Sequence, residues 1–156
     1  MSFFVQTIFF MSNSSTENIE AKKIYTQYKS YIQSEEQNIL SEPDTMYATA
    51  FNDMVTIANY DKDYAAGLLD VSYKTVTRYQ KEEKKFSALQ SEYILKTIAL
   101  FHKGEKVFGN TESFNRWLDK SAYGLGNLIP RAVITTVTGI NFVIDELNRI
   151  EHGDLA

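Results

Sequence analysis

The chain has 156 residues, 44% of them hydrophobic and 23% charged, with a formal net charge of −4 at pH 7. It has no cysteine, which excludes a disulfide framework, a cysteine nucleophile and a thiolate metal site together. Its two histidines, His102 and His152, are too few for most metal-centred catalysis, so neither a metal nor a cofactor is expected.

Two prolines and seven glycines, with no long alternation of polar and apolar residues, predict an all-α fold. The opening MSFFVQTIFF is apolar, but it lacks a basic n-region and a small-residue cleavage site. Ten residues do not span a bilayer, so no membrane association is expected. An edge strand or a leader upstream of a start at Met11 are the two readings, and residues 1–14 are taken as a leader or disordered segment. Residues 15–40 read as a helix with an apolar stripe of Ile24, Tyr28, Tyr31 and Ile32, within an N-terminal helical extension over 15–43. Pro43 disfavours helix at Glu42 and Asp44 can cap a new one, which predicts a second helix over 45–59.

Residues 67–80, GLLDVSYKTVTRYQ, carry the spacing of a helix-turn-helix, in a unit expected over residues 44–86. Ala66 is small where two helices approach, and Leu69, Val71 and Val76 are apolar at core-facing positions. Asp70 takes the turn site, where a left-handed backbone is usual and Asp is better tolerated than most residues. Ser72 then serves as N-cap of a helix over about 73–81. Ser72, Tyr73, Lys74, Thr75, Arg78 and Lys81 are the candidate DNA-contacting residues, with donors for phosphates and base edges. Residues 72–85 hold five basic side chains against two acidic ones, so this stretch is basic inside an acidic chain. Counterion release depends on the contacting face and not on the total charge. A plain helical hairpin with solvated lysines gives the same charge pattern.

Another helix begins at Ser87, with Leu89, Tyr93, Ile94, Ile98 and Phe101 as its buried stripe, Gly104 as its stop and His102 as a cap near its end. A short helix over 111–118 presents Phe114, Trp117 and Leu118, with Trp117 a core anchor. The loop Gly124-Leu-Gly126 has no preceding strand and no lysine after it, so it is a backbone turn rather than a phosphate cradle. Pro130 starts a helix over 130–138, and a last helix runs from Gly139 to Ile150. Residues 139–156 hold four acids (Asp145, Glu146, Glu151, Asp154) and one base, Arg149. An acidic, glycine-jointed end of this kind suits a basic pocket on a partner; a frayed, solvated terminus is the plain alternative.

The order Val107-Phe-Gly109, Trp117-Leu118, Leu125-Gly126 with Pro130, Gly139 and the closing Arg149-Ile-Glu-His-Gly153 resembles the Xre–MbcA–ParS antitoxins, over roughly residues 45–156. The resemblance implies a Xre-like helix-turn-helix and, after it, a small helical toxin-binding domain, here 87–156. It implies an antitoxin of a type II pair whose partner is a RES-domain toxin that degrades NAD. The C-terminal region would occlude the toxin's active site, and the protein would bind operator DNA to repress its own operon. By matching position, Trp117, Gly126, Pro130 and Gly139 shape the domain, alongside Ala66, Asp70 and Val76 in the first unit. Arg149, Glu151, His152 and Gly153 lie at the toxin-facing end, with Asp154 and Leu155 beyond. The family often has two adjacent glycines where this chain has Gly126-Asn127, and an apolar residue where it has Arg131. A cytoplasmic homodimer is expected, with half-sites about one helical turn apart. A stand-alone regulator whose C-terminal domain only dimerises is the alternative. No nucleophile–base spacing suggests an enzyme.

Overall fold

The computed structural model describes residues 16, 18–37 and 45–153. The leader reading of residues 1–14, the break at Pro43 and the candidate residues Asp154 and Leu155 lie outside these. The fold is all-α among the described residues, as the composition predicts. Residues 18–27 are helical (α1), and after a turn at Tyr28 the helix α2 covers Lys29–Glu36. The continuous helix expected here is thus bent. The Tyr28 and Ile32 amides still donate to the Ile24 and Tyr28 carbonyls across the turn, so Ile24, Tyr28 and Ile32 stay on one buried face. The Tyr28 hydroxyl donates to Asp53 Oδ2 at 2.6 Å, tying this face to the next helix. Burial raises the Asp53 carboxyl, and that hydrogen bond works against the rise.

Helix α3 covers Ala50–Ala58 and ends at Asn59 with φ 52°. Helix α4 (Lys62–Leu68) is capped by Asp61, whose side chain accepts from the Asp63 and Tyr64 amides. Helix α5 covers Tyr73–Lys81. The chain on either side of this trio is tied together: the Ala48 amide donates to the Lys84 carbonyl at 2.9 Å and the Phe86 amide to the Met46 carbonyl at 2.8 Å.

Helix α6, Ala88–Phe108, is the axis of the molecule. Ser87 and Gln90 form a capping box at its start. At 1.5 Å per residue its 21 residues span about 31 Å. It packs against α2 and α3 and against two later helices, α7 (Thr111–Leu118) and α9 (Val137–Glu151). The hydrophobic cluster is accordingly continuous from Ile24 to Leu147.

Three expectations for α6 fail. Gly104 does not stop the helix; Gly109 does, at φ 87°. Gly104 lies inside the helix because the Phe114 ring rests directly on it, and any Cβ there would strike the ring. A mid-helix glycine costs about 1 kcal/mol in propensity, less than a buried phenylalanine returns. Leu89 is not in the buried stripe but 77% exposed. It sits in the first turn, where its neighbour Gln90 is the residue tied down, donating to the Leu69 carbonyl. His102 likewise stands inside α6 rather than at its end.

Beyond α7, Tyr123–Leu125 forms one 3₁₀ turn, and Pro130–Val133 forms the short helix α8, with Pro130 in its first turn as expected. The helix expected over 130–138 stops early because Thr136 caps the next one. Its Oγ1 accepts from the Gly139 amide at 3.0 Å, so α9 starts at Val137 instead of Gly139. Gly139 is needed where α8 crosses α9, since a Cβ would run into the Val133 carbonyl.

Candidate functional site

The turn between α4 and α5 is built from the residues that define it in sequence. Ala66 and Val76 are fully buried, Leu69 nearly so, and Asp70 adopts φ 59°. Ser72 Oγ accepts from the Thr75 amide at 3.1 Å and meets Thr75 Oγ1 at 3.0 Å. The six candidate DNA contacts are not equivalent. Tyr73 is half-buried, stacked on Phe51 with centroids 6.1 Å apart, and carries Lys62 above its ring. Thr75 is engaged with Ser72. Lys74, Arg78 and Lys81 are exposed, with Arg78 resting on the Tyr79 ring and Lys84 on the same ring. Among the described residues Lys74 and Lys81 have no side-chain partner.

At the C-terminal end α9 presents a second constellation. Lys103, a nearly buried residue of α6, pairs with Glu151; Lys106 Nζ lies 3.7 Å from Glu151 and 3.8 Å from Glu36 of α2. Lys96 pairs with Glu35, and His102 Nδ1 stands 3.9 Å from Glu36. These groups line a cleft of about 410 Å³ between α2, α6 and α9, which His152 also faces. His152 Nδ1 sits 2.6 Å from the Asn148 carbonyl, and Gly153 comes next at φ 75°. The C-terminal end of α9 is therefore clamped by the N-terminal extension and α6 together. Lys103, with its hydrogen bond first, holds the Glu151 carboxyl below the usual carboxylate range. Burial holds the His102 imidazole down, against the pull of Glu36 and Glu105.

Because Glu151 titrates lower in the folded than in the unfolded chain, its contribution is present above the ordinary carboxylate pKa and is lost as pH falls. Glu151→Gln should flatten the acid side of a Tm-against-pH curve below about pH 4.5; an unchanged curve would mean that the clamp does not hold in solution.

A third arrangement fixes the loop before α8. Glu146 is buried, and Arg149 reaches it through Nε at 2.7 Å and Nη2 at 2.6 Å. Arg149 Nη2 also donates to the Gly124 carbonyl at 3.3 Å. Gly124 lies so close to the Glu146 carboxylate that a Cβ there would strike it. Gly126 and Asn127 have φ 66° and 63°, so the position after Gly126 needs a left-handed backbone that Asn tolerates. Arg131 forms a two-pronged bond to Asp119 and also donates to Asn115, joining α8 to α7. Trp117 is half-buried, 5.4 Å from the Phe108 ring and 6.0 Å from Phe114.

Sequence reasoning singled out Arg149 and Glu151 but not their partners. Glu146 was readable as an i, i+3 partner of Arg149. Lys103, Glu35 and Glu36 were not, because only the fold brings α2, α6 and α9 together.

A helical bundle that ends in a clamped amphipathic helix and a rigid turn beside it has the make-up of a partner-binding module. Residues 103–153 match the family model described as the antitoxin Xre/MbcA/ParS C-terminal toxin-binding domain. The C-terminal third of the chain is thus similar to the toxin-binding domain of the Xre/MbcA/ParS antitoxins. The residues of α3 to α5 fall outside that match. No curated protein matches the chain. Among the described residues no helix is long and apolar enough to cross a membrane.

Proposed function

We propose that this antitoxin neutralises a RES-domain, NAD-degrading toxin and represses its own operon as a cytoplasmic homodimer. The observation that carries the reading is the separation of two unlike surfaces on one core. The toxin-binding domain stands at one end of the sequence, and a separately capped, base-rich helix, α5, precedes it. Glu151, His152 and Gly153, with Asp154 and Leu155 beyond, form the end that enters the toxin's active site; Arg149, one turn earlier, holds the turn at Gly124 beside it. Deleting residues 152–156 leaves the Lys103–Glu151 pair in place. It should abolish neutralisation in co-expression while the two proteins still co-purify. Full neutralisation by the truncated chain would refute the occlusion.

On the DNA side, Ser72, Tyr73, Lys74, Thr75, Arg78 and Lys81 face the groove. Tyr73 and Thr75 shape the helix start, while Lys74, Arg78 and Lys81 make the ionic contacts. Lys74→Ala with Arg78→Ala should weaken operator binding roughly tenfold or more and lower the salt slope by about 2. A salt slope equal to that of the native protein would take α5 out of the groove. The likeness of residues 103–153 to a toxin-binding domain favours this reading over a stand-alone regulator whose C-terminal domain only dimerises. As a binding protein the chain needs no cofactor and no catalytic residue.

A further inference from the structure

Solvent-exposed apolar side chains are normal when scattered and informative when clustered. Among the described residues, four of the eight exposed large hydrophobics, Tyr123, Leu128, Ile129 and Phe142, fall within twenty residues of one another. The others are spread over residues 19–89. Tyr123 is 81% exposed and Phe142 44%. The backbone brings the four to one face. Gly124 abuts Glu146, and the Val133 carbonyl abuts Gly139, so the chain from 124 to 133 lies along α9 between those two points. Phe142 stands three residues after Gly139 and four before Glu146, on the same side of the helix.

The face is also rigid before anything binds. The Ala122 amide donates to the Leu128 carbonyl and the Asn127 amide to the Ala122 carbonyl, each at 2.9 Å, and Arg149 holds the Gly124 carbonyl. Presenting aromatic side chains on a locked turn removes most of the ordering cost of association. An aromatic centre with a charged group beside it, here Arg149 on the Gly124 carbonyl, is the pattern of a binding hot spot.

We infer that the face formed by Tyr123, Leu128, Ile129 and Phe142 is the surface that grips the toxin, distinct from the C-terminal end that enters its active site. All four residues lie inside the segment 103–153 that matches the toxin-binding domain, and this identifies the occupant as the toxin rather than DNA or a second copy. The inference rests on the toxin-binding reading above and assigns its affinity and its occlusion to different residues.

The test is calorimetric titration of the full chain with the purified toxin encoded in the adjacent reading frame. Tyr123→Ser/Phe142→Ser should weaken Kd by about 100-fold or more, with the fold unchanged by circular dichroism since both side chains are exposed. Leu89→Ser, exposed but off the face, should bind as native. Deleting residues 152–156 should keep most of the affinity and lose neutralisation. Native affinity of the double variant overturns the inference. If the deletion alone then removes binding, the occlusion reading survives without the grip; if neither variant changes Kd and the deletion still neutralises fully, both fall. A double variant that binds toxin normally but no longer self-associates in sedimentation also overturns it, and assigns the face to a second copy.

Discussion

Phe114→Ala should remove about 3–5 kcal/mol from the unfolding free energy, lowering Tm by roughly 10 °C for a chain of this length. The ring is fully buried and lies on three others: Phe101 at 5.2 Å edge-on, and Phe108 and Trp117 at 6.0 Å stacked. It also rests on the backbone of α6 at Gly104, so it joins α7 to the central helix. Alanine would leave a cavity that a helix held by neighbours on several sides cannot collapse to fill. The converse change, Gly104→Ala, pushes a methyl into the ring and should cost about 1–3 kcal/mol. The two together should cost less than their sum, because the new methyl occupies space the ring has vacated. Since the hydrophobic cluster is continuous, circular dichroism and Trp117 fluorescence should report one coincident transition. A loss below about 1.5 kcal/mol for Phe114→Ala, or strictly additive costs, would show that ring and helix are not in contact.

This pair also shows what the sequence could convey. Phe114 was legible as an apolar member of a short amphipathic helix, and Gly109 comes after an apolar stretch as a stop should. Gly104 read as a stop because propensity is local, whereas the reason for that glycine is a ring ten residues away that only packing brings down on it. The same division holds elsewhere. Asp70, Ser72 and Val76 were readable because turn, cap and core roles depend on near neighbours. The acidity of the C-terminal segment was readable as composition but not as surface, for Glu146 is buried against Arg149 and Glu151 is paired with Lys103. Of the four acids counted there, Asp145 is the described one that stands exposed without a partner, so the segment is less a charged probe than its composition suggests. Pairings such as Arg131 with Asp119 span twelve residues and a loop, a distance at which no periodicity carries information.

Arg149→Ala should cost about 2–3 kcal/mol, more than an exposed ion pair is worth and less than a fully buried one. The asymmetry of the pair sets this value: the Glu146 side chain is 6% exposed and that of Arg149 46%. Removing the guanidinium leaves a carboxylate confined beneath Gly124, where the chain approaches too closely for water to replace both lost donors. Arg149→Lys should be intermediate, since an ammonium supplies the charge but not the two-pronged geometry. Replacing both partners by apolar residues of similar size, Glu146→Leu with Arg149→Met, should recover most of the lost stability because no buried charge remains. Toxin affinity then separates two roles for Arg149. If it acts by holding the turn that carries Tyr123, affinity falls in Arg149→Ala and returns with stability in the double variant. That is the expected result, measured by calorimetry alongside urea denaturation. Affinity that stays low in a fully stable double variant would instead place the guanidinium in direct contact with the toxin, and the turn would then owe its position to Gly124 and its own hydrogen bonds.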